Sequence, residues 1–167
     1  MGYLASALED WITKKYERNK ILVAGEINLQ QIARTERIFI HRKPMPARYD
    51  IHGRYQAITL DSRSTIEEQR EQFFHELCHI LRHVGHQSMM PEAFRQLQEW
   101  DANRFTMYAA LPYFMIKKYD YNNPRLIEDL AEDFNVSEEL CIKRMDHIKR
   151  NIMANSLLVR NYQEVYN

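Results

Sequence analysis

The chain has 167 residues, a length that suits one domain or one domain with a small helical appendage. Its 23 basic residues balance its 23 acidic ones, which argues against a dedicated nucleic-acid binder. Apolar residues make up 45%, enough for a real core, and 4 glycines with 5 prolines exclude a turn-rich sandwich or a collagen-like repeat. No apolar run approaches the roughly 18 residues that a membrane span needs, so no membrane partner is expected. The first eleven residues carry Glu9 and Asp10 and lack a basic start before an apolar stretch, so they do not read as a signal peptide. Two cysteines, Cys78 and Cys141, fit a reducing cytoplasm better than a disulfide framework.

Residues 3–20 read as a helix, with Leu4, Leu8, Trp11, Ile12 and Tyr16 on one face. Residues 21–24 are a short apolar run that could end a helix or form a strand, and residues 27–33 suit a short helix. Residues 37–42, 48–51 and 56–60 are strand candidates; Pro44 and Pro46 stop the first, and Gly53 turns between the others. Ser64 or Thr65 can cap the next helix, with Glu67 and Glu68 near its positive end. That helix covers residues 66–83, with Gly85 marking its end. Pro91 opens another over residues 92–110, and Pro112 closes it. The rest reads as helices broken near Asn122-Asn123-Pro124 and at Asn135. Few strands followed by many helices predict an α+β fold: a small antiparallel sheet against the central helices, then a helical C-terminal region. Residues 1–112 and 113–167 are the expected divisions. The first holds 15 basic and 14 acidic residues and the second 8 and 9, so neither part is built to hold phosphate.

The 66–83 helix contains His75-Glu76-Leu77-Cys78-His79. Residues four apart on a helix differ by about 40° around the axis and about 6 Å along it. Both imidazoles can therefore reach one ion. Glu76, about 100° further round, can lie beside an attacking water as general base without being a ligand.

Two histidines leave zinc under-coordinated. His83 and His86 are near in sequence, but His83 continues one straight row and cannot close a tetrahedron. The metzincin spacing fails because Arg82 and Gly85 stand where glycine and histidine are required. Glu99, 20 residues past His79 on the following helix, matches the gluzincin arrangement. Asn103 is one turn beyond Glu99 and could accept the far N–H of a ligand imidazole. Asp101 is the rival ligand, but it points about 200° away from Glu99. His83 and His86 then read as surface or helix-end residues. Cys78 reads as a small buried filler, and the methionines, Met89 and Met90 included, as packing.

His75-Glu76-Leu77-Cys78-His79, then Glu99-Trp100-Asp101-Ala102-Asn103-Arg104-Phe105 running into Leu111-Pro112, resembles the ImmA/IrrE family of metallopeptidases. Thr106 departs from the alanine usual in that family, and Tyr108-Ala109-Ala110 from a more aliphatic run. Size and content look most similar to the ImmA anti-repressor proteases of phages and integrative conjugative elements. The resemblance implies a zinc endopeptidase that cuts a helix-turn-helix repressor and so relieves repression of a mobile element. A stress-response peptidase of the same family, or a binding module with structural zinc, are the other readings. Residues 56–60 immediately precede the metal helix and suggest a sheet edge on which substrate adds as a strand, with Ile58 and Thr59 as contacts. Oxyanion assistance could come from Tyr49, His52, Tyr55, Tyr108 or Tyr113. Residues 130–137 resemble the start of a helix-turn-helix, but Glu128, Asp129, Glu132, Asp133, Glu138 and Glu139 make this face acidic and would repel phosphate, which favours packing or substrate docking over nucleic-acid contact.

Overall fold

The computed structural model describes residues 2–83 and 90–166. Gly85, His86 and Met89 lie outside the described residues.

The observed order is α1 (Ala7–Arg18), a 3-10 turn at Ala24–Glu26, α2 (Leu29–Thr35), β1 (Phe39–Lys43), β2 (Arg48–His52), β3 (Tyr55–Asp61), α3 (Ile66–Arg82), α4 (Glu92–Ala110), α5 (Tyr113–Ile116), α6 (Leu126–Phe134) and α7 (Glu138–Tyr166). The fold is α+β, as the sequence indicates. The apolar run at residues 21–24 forms no strand; it leads into the 3-10 turn. Helix ends follow local chemistry. Thr65 rather than Ser64 caps α3: its side chain accepts from the Glu68 amide, while the Glu68 carboxylate accepts from the Thr65 amide. Pro91 is the N-cap of α4. Asn135 ends α6 in the left-handed conformation (φ 51°), which a short polar side chain tolerates.

The sheet is mixed where a wholly antiparallel one is expected. Its order is β1-β3-β2, with β3 parallel to β1 and antiparallel to β2. Gly53 (φ 60°) makes the tight turn from β2 to β3, and β3 then returns between the two earlier strands. This overturns the reading of residues 56–60 as an edge. Ile58 faces Ile40 on one side and Tyr49 on the other, and it is fully buried, with Thr59 nearly so. Both rows of β3 backbone groups already serve neighbours, so neither residue can receive an added strand. The outer strand nearest α3 is β2.

One core runs through the molecule. Phe73, Phe74 and Leu77 of α3 pack with Ile58 and Leu60 of β3 and with Ala102 and Phe105 of α4. Residues on both sides of Pro112 contribute, including Leu130, Phe134, Val136, Met145 and Ile148. Leu130, Phe134 and Val136 of the helix-turn-helix-like segment are fully or almost fully buried, so its apolar face is spent on packing.

A buried ion pair ties the two ends of the chain. Arg144 of α7 has no exposed surface, and its Nη2 donates to Glu9 Oε1 at 2.7 Å. Its Nε donates to the Leu111 carbonyl at 2.9 Å, and Tyr3 also donates to Glu9. Breaking such a pair strands a charge away from water. Arg144→Met is therefore expected to lower stability in urea unfolding by about 3–5 kcal/mol, and the double variant Glu9→Gln/Arg144→Met to recover part of the loss. Equal stability of Arg144→Met and the parent would contradict this.

Candidate metal centre

α3 and α4 cross with small Ala102 at full burial, which lets the two backbones approach. Their facing side chains meet beside β2. His75 Nε2 lies 3.1 Å from Glu99 Oε2, His79 Nε2 lies 3.3 Å from Glu99 Oε1, and the two imidazole Nε2 atoms are 3.2 Å apart. A tetrahedral ion with bonds of about 2.0–2.1 Å holds its ligand atoms about 3.3–3.4 Å apart. The three donors thus already stand close to the spacing that one zinc ion requires. Two imidazoles and a carboxylate are also the donor set of a catalytic site, which leaves one corner for solvent or substrate. The residues fit the ion.

Glu76 sits beside this cluster, 9% exposed. Burial, with the Glu99 charge added, pushes its carboxyl up to about 7, while the Tyr49 backbone amide opposes the shift. Burial also pulls the His79 imidazole down to about 4 against the attraction of Glu99. A neutral imidazole is the form that binds a metal. Tyr49 stacks its ring on His79, centroids 5.3 Å apart and planes 19° from parallel. The other oxyanion candidates are engaged elsewhere or unsupported: Tyr113 stacks on Tyr3, Tyr108 bonds His147, and Tyr55 bonds His41.

An open cleft of about 800 Å³ runs from the cluster between α3, α4 and α7, lined by His75, Glu76, Trp100, Asn103, Arg104 and Lys143 among others. Asn103 is exposed on its wall. The far nitrogen of His79 meets His83 Nδ1 at 2.9 Å. His83 is the C-cap of α3, a helix-end residue as expected, and its side chain is largely enclosed, 9% exposed. Asp101, the rival ligand, faces away from the cluster and pairs with Arg82 and His83. The i+4 spacing of His83 after His79 carried this signal, since the two share a helix face.

The geometry is a cluster of three candidate metal ligands on an α+β scaffold. The comparisons agree with it. Residues 33–146 match the IrrE N-terminal-like domain, and the chain belongs to this family of metallopeptidases, as the resemblance in its motifs implies. It is 35% identical over 155 residues to the phage-like element PBSX protein XkdA of Bacillus subtilis (strain 168), covering 90% of this chain and 77% of that one. It is 34% identical over 154 residues to YqaB, an uncharacterized protein of the same organism, covering 91% and 90%.

The carboxyl of Glu76 gives a pH test in metal-free protein. Its folded pKa lies above the unfolded one, so its stabilising contribution is full below pH 4.5 and is lost as pH rises through about 7. The lowered pKa of His79 acts in the opposite sense at lower pH. Comparison with Glu76→Gln isolates the carboxyl. In the presence of chelator, the variant should gain on the parent between pH 5 and 8, by up to about 3 kcal/mol in denaturant unfolding. Parallel stability curves would contradict it.

Proposed function

We propose that this chain is a zinc-dependent endopeptidase making limited cuts in a protein substrate, with a helix-turn-helix repressor of a phage or mobile element as that substrate. The observation that carries the catalytic part is the convergence of His75, His79 and Glu99 at tetrahedral spacing, with buried Glu76 alongside and a cleft in front. Support for the setting comes from XkdA, which is named as a protein of a phage-like element. Two free cysteines and the absence, among the described residues, of any helix long and apolar enough to cross a membrane are in keeping with a cytoplasmic enzyme.

In this reading His75, His79 and Glu99 hold the ion. When bound, a divalent ion supplies a Lewis acid that acidifies water and polarises a carbonyl. Glu76 takes a proton from the attacking water and returns it to the leaving amine nitrogen. Tyr49, stacked on His79, is assigned to steady the developing oxyanion. Asn103 and Trp100 meet the substrate chain along the cleft.

The substrate backbone adds to β2. The Tyr49 amide reaches Glu76, so it points away from β3. Antiparallel alternation then turns the Ile51 amide outward as well. A peptide paired there lies beside the ligand cluster.

Two outcomes are expected with the purified full chain and the repressor encoded beside its gene. Glu76→Gln should keep one ion per chain and lose at least about 100-fold in cleavage rate. Cleavage by Glu76→Gln, or in excess chelator, would overturn the reading. Ile51→Pro removes an outward donor and should raise KM roughly fivefold, the equivalent of one hydrogen bond, with the ion retained. An unchanged KM would remove β2 from the account.

A further inference from the structure

His83 and Asp101 stand behind the ligand cluster and have no task in the hydrolysis derived above. His79 turns Nε2 toward His75 and Glu99. Its other ring nitrogen, Nδ1, lies 2.9 Å from Nδ1 of His83. His83 Nε2 lies 3.1 Å from Asp101 Oδ2. Arg82 Nε donates to the same oxygen at 2.8 Å, and Arg82 Nη2 to Asp101 Oδ1 at 3.3 Å. The buried Cys78 thiol, 3.7 Å away, donates weakly to Asp101 as well.

The protons follow from donor and acceptor rules. A neutral imidazole has one N–H and one bare nitrogen. A cation at Nε2 of His79 requires the proton on Nδ1. That N–H donates to His83 Nδ1, which must therefore be bare. The His83 proton then sits on Nε2 and donates to Asp101. An ionised Asp101 can only accept, and Arg82 holds it in that form. One assignment satisfies every group in the chain.

The geometry points to His83 and Asp101 as positioning residues, which together fix His79 in the tautomer and ring orientation that offer Nε2 to a divalent ion. Hydrogen bonding to the far nitrogen also strengthens the ligand as a donor. This inference rests on the reading of His75, His79 and Glu99 as the metal centre. Cys78, His83 and Asp101 themselves bring donor atoms within 4.8 Å of one another. They do not make a second cation site. The Arg82 guanidinium already neutralises Asp101, and the Cys78 thiol is turned toward that same carboxylate as a donor.

The test is a Co2+ titration of the full chain against a competing chelator. The parent should bind one ion, and His83→Phe should bind it about 10–100-fold more weakly. His83→Gln, whose amide can accept from His79 and donate to Asp101, should recover most of the loss. Parent-like affinity in His83→Phe, or equal loss in both variants, overturns the proposal. If His83→Phe does not fold, nitrogen NMR of the zinc-loaded parent decides. A proton on His79 Nδ1 with a bare His83 Nδ1 supports the chain, and a bare His79 Nδ1 overturns it. His75→Ala separates the two levels. If it binds as well as the parent, or the parent binds no ion, the metal centre fails and takes the proposal with it; if only the His83 variants bind normally, the metal centre stands alone.

Discussion

The crossing of α3 and α4 decides what this molecule can do. It holds two imidazole nitrogens and two carboxylate oxygens 3.1–3.3 Å apart in a partly buried place. Such a cluster is unfavourable by itself. The buried carboxyl of Glu76 loses hydration, and the charge of Glu99 raises its pKa further. In the proposed function a divalent cation would offset the negative charge that Glu99 presents to Glu76. The apolar contacts of Phe73, Phe74 and Leu77 with Phe105 and Ala102 are what keep the donors from spreading apart. Arg82, His83 and Asp101 tie the end of α3 to α4 on the far side of His79.

The rest of the fold serves that crossing. β3 is a buried middle strand against which α3 lies, and β2 is the outer strand that brings Tyr49 to His79 and Glu76. The late helices are part of the same body. Arg144 reaches back to Glu9 and to the carbonyl of Leu111, which fixes α1, the end of α4 and α7 together. Lys143 and Leu140 of α7 also line the cleft. The match to the family extends to residue 146, past the break at Pro112.

Local signals in the sequence were strong where one or two turns of helix settle the matter. The spacing of His75 and His79, the capping pair Thr65 and Glu68, and the breaks at Pro91, Pro112 and Asn135 all act within a few residues. Glu99 was legible because helix periodicity and a known separation place it opposite His79. The strand order was not legible. Three short strands with similar patterns fit several orders, and the choice depends on where β3 returns after the Gly53 turn. That is why the sequence around Ile58 and Thr59 suits a substrate edge although both residues are enclosed. His83 was visible at i+4, yet its task depends on Asp101 from another helix. The Glu9 and Arg144 pair joins residues 135 positions apart, a distance over which no pattern in one sequence speaks.

Zinc X-ray absorption on the full chain loaded with one equivalent of metal tests the central claim most directly. The account predicts four nitrogen and oxygen neighbours at about 2.0–2.1 Å with outer scattering from two imidazole rings. A sulfur neighbour at about 2.3 Å, which would put the thiolate of Cys78 on the ion, or scattering from a single ring, would contradict it.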